Sequence, residues 1–196
     1  MKAKVWAAFL LAATSAFATP APATLITYTE TADVSGSLNS VDFTDNVITL
    51  TASGDTSSVA EGPPGFFSLS VPVTFTLSGG GSGTFTEEIL LIDNQFVPAA
   101  GFGDFTTFEP IIYTASSVFA TYDLKTAIGP VVGGPINNGG STFATNVGPL
   151  IIDSVSGEST FTATIPEPAT WTMMALGFAG LGFAGYRRSR SAVLAV

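Results

Sequence analysis

The residues able to do chemistry in this chain of 196 make a short inventory. It holds no histidine and no cysteine. Without imidazole the commonest general base and the nitrogen ligands of metals are missing. Without thiols there are no disulfides, cysteine nucleophiles or zinc–sulfur sites. Carboxylates remain. Fifteen Asp and Glu face six Lys and Arg, and the cations crowd the ends: Lys2 and Lys4 at the start, Arg187, Arg188 and Arg190 near the finish. Between residues 19 and 165 only Lys125 stands against fourteen carboxylates. A surface of that sign repels phosphate backbones, which argues against a nucleic-acid partner.

Carboxylate pairs can run glycoside hydrolysis. Glu87 and Glu88 are neighbours, however, so a regular strand aims them at opposite faces. Lys125 has no S-x-x-K pattern before it. Hard cations take oxygen ligands, and Asp93, Asp104 and Asp153 with loop carbonyls are the candidates for calcium, although no ligating spacing supports them. The expectation is therefore no catalytic residue, no metal and no cofactor. Sugar-binding platforms present aromatic faces, but Trp6 and Trp171 both lie in the end segments. Phe66, Phe67, Phe102, Phe105 and Phe108 are left as candidates, with plugging of a core as their commoner use.

The two ends carry the clearest signals. "MKAKVWAAFLLAATSAFATPAPA" begins with Lys2 and Lys4, continues through an apolar Val5–Ala13 stretch and reaches Ala16-Phe17-Ala18, an A-x-A site. That is the layout of a secretory signal peptide over residues 1–18, read by signal peptidase and the general secretion machinery. Ala21 and Ala23 are alternative ends. At the other terminus, "IPEPATWTMMALGFAGLGFAGYRRSR" places Pro166, Glu167 and Pro168 before an uncharged run, 169–186. Eighteen helical residues rise about 27 Å, enough to reach across a hydrocarbon core. Trp171 and Tyr186 sit at its ends, and Arg187, Arg188 and Arg190 follow as a membrane stop on the cytoplasmic side. Residues 191–196 form a short cytoplasmic tail on this reading.

These three parts in this order resemble a PEP-CTERM sorting signal, here residues 165–190. The resemblance implies that the protein is a substrate. Its partner would be an exosortase, a membrane protein supplying its own catalytic residue, which cuts near Pro166-Glu167-Pro168. The released domain would pass to the cell surface or to an exopolysaccharide matrix after a transient stay in the inner membrane. A tail that remains as a permanent anchor is the competing outcome.

The exported middle, residues 19–164, has a period of two. "LSVPVTFTL" puts Leu69, Val71, Val73, Phe75 and Leu77 on one face, with Pro72 marking an edge or a bulge. "SGGGSG" at 78–83 turns the chain into "TFTEEILLI", where a bulge would hold Glu87 and Glu88 outside the core. "STFTATI" repeats the alternation with Phe161, Ala163 and Ile165 inward. Further strands are expected around 25–31, 41–51, 111–122 and 148–154. Loops are expected at 61–67, 99–105 and 129–141. The spacing predicts an all-β fold, an antiparallel β-sandwich with a jelly-roll variant open. Its expected role is that of a non-enzymatic surface or matrix protein, with an exopolysaccharide-binding module as first alternative and a hydrolase as a distant third. N-terminal sequencing of the exported protein should begin at Thr19; an intact Met1 would overturn the topology.

Overall fold

The computed structural model describes residues 24–166 together with Phe178 and Ala179. The signal segment with Ala16 and Ala18, the remainder of the Pro-Glu-Pro triplet, the rest of the apolar run and the arginine cluster lie outside the described residues.

Twelve antiparallel strands form one sheet, curled into a half-barrel. In chain order they are β1 (Leu25–Leu38), β2 (Val41–Asp55), β3 (Ala60–Glu61), β4 (Phe66–Ser70), β5 (Val73–Leu77), β6 (Ser82–Thr84), β7 (Ile89–Asn94), β8 (Ala99–Asp104), β9 (Pro110–Ala115), β10 (Ile128–Ile136), β11 (Ser141–Phe143) and β12 (Leu150–Thr164). Their spatial order is β3-β4-β7-β8-β9-β10-β12-β1-β2-β5-β6, with β11 on β12. Two short 3-10 turns interrupt them, Thr56–Ser58 and Ser117–Thr121. The all-β, antiparallel expectation holds. The strands nevertheless belong to one continuous sheet, because β10 serves both halves. Its first part pairs with β12 through Ile128–Gly133, and its last part pairs with β9 through Gly134–Ile136.

Alternation decides which side chains meet inside the curl. β1 buries Ile26, Tyr28, Glu30, Ala32 and Val34; β2 buries Ile48, Leu50 and Ala52; β12 buries Leu150, Ile152, Phe161 and Ala163. Phe161 is the meeting point. Its ring packs edge-on against Phe119 at 5.5 Å and Tyr122 at 6.1 Å, and lies 6.4 Å from Tyr28. Phe119 and Tyr122 come from the segment 116–127, which plugs one end of the curl. Tyr28 OH ties that plug down by donating to Leu124 O at 2.5 Å, and Gln95 Nε2 donates to Tyr122 O at 2.6 Å.

Several sequence expectations change here. The run 69–77 is not one strand: it breaks at Val71-Pro72, so that β4 pairs with β7 in one half and β5 pairs with β2 in the other. Pro72 has no N–H to give a ladder, and the chain changes halves at that point. "TFTEEILLI" divides for the same reason, with Glu87 and Glu88 in the crossing between β6 and β7 and not in a bulge. The expected loop 99–105 is strand β8, and 129–141 is mostly β10. Their glycines mark close approach, not looseness. A Cβ on Gly101 would fall 2.5 Å from Glu30 Oε2 and 2.6 Å from Tyr113 Cα. Of the expected loop 61–67 only 62–65 is a turn, since Glu61 ends β3 and Phe66 begins β4. Residues 111–122 end as a 3-10 turn, and 148–154 and 159–165 fuse into the single strand β12. Ile165 is past the strand and half exposed, not inward.

The fold makes one energetic prediction. Phe161→Ala removes the ring at the centre of the aromatic cluster and should cost about 3–5 kcal/mol, read by urea denaturation. Phe105→Ala, on an exposed ring, should stay within about 0.5 kcal/mol. Equal effects at both positions would contradict this placement of the core.

Candidate functional site

The motif begins where the sheet's central strand ends. β12 has neighbours on both sides: β1 on one, through Tyr28↔Ala163 and Thr27↔Thr164, and β10 on the other, through Ile128↔Ala163. Thr164 Oγ1 also donates to Thr27 O at 3.4 Å. Pairing then stops, although β1 continues to Leu25. Pro166 explains the stop, since a residue without N–H cannot extend a ladder. Ile165 and Pro166 are exposed. The antiparallel pairing also brings the first residues of β1 beside the last residues of β12. Both termini of the folded domain therefore leave from one end of the sheet.

Among the described residues two carboxyl groups lie inside the curl: Glu30, which the sequence does not single out, and Asp93, one of the calcium candidates. Glu30 is fully buried on β1. Thr114 Oγ1 stands 2.8 Å from Glu30 Oε1 and 2.7 Å from Ser159 Oγ. A hydroxyl has one proton, so it can donate to only one of these neighbours and must accept from the other. Glu30 Oε2 has no hydrogen-bond partner. Burial holds the Glu30 carboxyl well above the usual range, against the lowering pull of Thr114 and of the Phe102 backbone. A local signal for it exists: "ITYTE" places Glu30 in register with Ile26 and Tyr28, so alternation alone carries it inward.

Asp93 repeats the pattern on β7, in register with the core residues Ile89 and Leu91. It is buried, and neither carboxylate oxygen has a hydrogen-bond partner. Burial first, and the nearby Asp123 second, push it up to about 8. Tyr122, in the plug, is pushed up by burial and then by Tyr28, Asp93 and Asp123. The plug's Lys125 lies 5.8 Å above the Phe67 ring, within the range of a cation–π contact.

The calcium candidates are not brought together. In the β7–β8 hairpin Asp93 opposes Ala100 while Asp104 opposes Ile89, at the other end. Asp104 is already engaged, accepting from the backbone N–H of Thr106 and Thr107 at 2.9 and 2.6 Å. Asp153 is exposed on β12. Among the described residues no three His, Cys, Asp or Glu could share a metal ion. Glu87 and Glu88 separate as well: Glu87 accepts from Ala144 N at 2.9 Å and Glu88 from Ser70 Oγ at 2.7 Å.

Of the candidate phenylalanines, Phe67 and Phe102 are core, whereas Phe105 and Phe108 are exposed. Phe66 and Phe108 line an open cleft of about 410 Å³ on the outer face of β4, β7, β8 and β9, together with Tyr113, Asn94 and Asn138. No charged side chain lines it. Asn94 Oδ1 accepts from Phe96 N and Val97 N, at 3.0 and 3.2 Å, which leaves its NH2 group to face outward partners.

The buried acids set a pH dependence. A carboxyl whose folded-state pKa is raised binds its proton in the native state over a range where the unfolded chain has lost it. Stability then falls as pH rises through that range. For Asp93 the window runs from the ordinary value of 3.8 to about 8, and Glu30 acts in the same direction. The melting temperature of the exported domain should drop between about pH 4 and pH 8. Asp93→Asn, which cannot ionise, should flatten that slope; a melting temperature that climbs steadily over the window would contradict the placement of both acids.

No curated protein and no solved structure matches the chain. Residues 164–189 do match the family model described as the PEP-CTERM protein-sorting motif. The matched segment opens on Thr164, the last residue of β12, and spans the Pro-Glu-Pro triplet, the apolar run and Arg187 and Arg188. That motif implies exosortase-dependent sorting of an exported protein, and the chain is a PEP-CTERM domain-containing protein.

Proposed function

We propose that the chain is exported across the inner membrane, held there briefly by residues 169–186, and cut near Pro166-Glu167-Pro168 by an exosortase. The β domain then serves at the cell surface or in the extracellular matrix as a non-enzymatic building unit. The observation that carries this reading is the sorting motif joined directly to the end of the central strand. An acidic domain with one cation suits an exported role, because like charge keeps copies apart. The buried Glu30 is closed to any substrate, and Glu87 and Glu88 are each engaged separately. Glu87 shares a cleft with Asp104 and Glu109, where each is already held by a hydrogen bond, from Ala144 N, Thr106 N and Ser141 Oγ respectively.

The cleft favours one second reading. Phe66, Phe108 and Tyr113 offer ring faces, and Asn94 and Asn138 offer amides, with no charge among them. That combination suits a neutral saccharide of the matrix better than an anionic one, which the acidic surface would repel.

Mass spectrometry of the extracellular form tests the sorting reading. Its last peptide should end within or just after the triplet, and full-length protein should collect in the membrane when the exosortase is absent. Peptides containing Trp171 through Tyr186 in the released form would leave a plain anchor instead. On a column of neutral exopolysaccharide, the saccharide reading expects retention that Phe108→Ala and Tyr113→Ala abolish. Free passage of the unaltered domain would leave the purely structural role standing, and release of reducing ends would overturn both.

A further inference from the structure

The sorting motif has no linker in front of it, and this limits how a processing protein can approach. Peptidase clefts grip substrate as an extended strand, using its backbone donors and acceptors and pockets for alternate side chains. Upstream of the motif those groups are taken. Ala163 is buried, with β1 on one side and β10 on the other, and Phe161 two residues earlier is locked in the aromatic cluster. Thr164 is still paired with Thr27. The first residue with a free backbone is Ile165, about half exposed, and Pro166 follows it outside the strand.

β1 runs two residues beyond its last pair with β12. The same antiparallel register would set Ile165 against Ile26 and Pro166 against Leu25. That ladder is absent. Proline at 166 therefore does a second job besides being part of a motif: it keeps β12 from drawing the motif into the sheet.

We propose that the folded domain confines the exosortase to residues from Ile165 onward, so that recognition and the cut bond both lie C-terminal to Thr164. This rests on the sorting reading above. The domain is processed while folded, and β12 leaves intact. In the step itself an amide C–N bond beyond Thr164 breaks. Its carbonyl carbon passes to the partner's nucleophile and then to water or to an external amine or hydroxyl, and the departing tail takes the proton on its new amino group. No pair of the β1–β12 ladder has to open.

Cross-linking the ladder tests this. Residues directly opposite on antiparallel strands have Cβ atoms close enough for a disulfide, and the chain has no cysteine of its own to compete. The full-length Thr27→Cys/Thr164→Cys protein is produced with an exosortase and compared with each single-cysteine protein. The expected result is no loss of processing when the disulfide is formed. Loss confined to the cross-linked form would show that the strand end must unzip, and would overturn the proposal. A second measurement does not depend on the variant folding: the mature C-terminus of the unaltered protein should lie at Ile165 or beyond. A terminus at Thr164 or earlier would overturn the proposal while leaving exosortase sorting in place. If the unaltered protein is not processed at all in the presence of the enzyme, the sorting reading and this proposal fall together.

Discussion

Everything in the sheet hangs on the pairing of β12 with its two neighbours. β12 and β1 run beside one another from Leu150↔Leu38 to Thr164↔Thr27, and β10 occupies the other edge of β12 near its end. Remove that strand and β1, β2, β5 and β6 lose their connection to β9, β8, β7, β4 and β3. The side-chain counterpart of the same constraint is Phe161, where rings from β1, from β12 and from the plug converge. Backbone pairing sets the order of the strands, and the ring cluster fills the interior where β1, β12 and the plug meet.

The curl has a cost in buried charge. An antiparallel sheet with one face to water can hold polar residues outside by alternation, yet Glu30 and Asp93 both fall on the inner side of their strands. Each is tolerated because a carboxyl deprived of water keeps its proton and becomes a neutral polar group. Thr114 is the hydrogen-bond partner of one oxygen of Glu30, and Ser159 in turn is bonded to Thr114. Gly101 gives it room, since any side chain there would meet the carboxylate. Asp93 has no such relay and faces the plug with both oxygens unpartnered.

Open sheets expose edges, which have to be protected from further pairing. β3 is two residues long and β6 three, which leaves little template for a further strand. Beside β6, Asn146 Oδ1 accepts from Thr84 N at 2.8 Å, and Phe85 bridges to Thr145. The surplus of carboxylates adds repulsion between copies.

Much of this is legible in the residues. The Pro-Glu-Pro triplet, apolar run and arginines are local signals, readable because each acts through its own chemistry and spacing. So are the alternation of "ITYTE" and "STFTATI" and the β character of the whole middle. The glycine-rich stretches 99–105 and 129–141 look like loops in sequence because glycine signals turn and tight packing alike, and only the neighbouring strand tells which. Pro72 announces a break but not that the chain changes halves there. Glu30 sits in plain alternation with Ile26 and Tyr28. Only the packing of strands far apart in sequence, which also brings Thr114 from 84 residues away, buries it and so holds its carboxyl above the usual range. Local pattern is written in neighbouring residues and survives without the fold. Register, curl and burial depend on strands far apart in sequence meeting, and those meetings exist only in the tertiary structure.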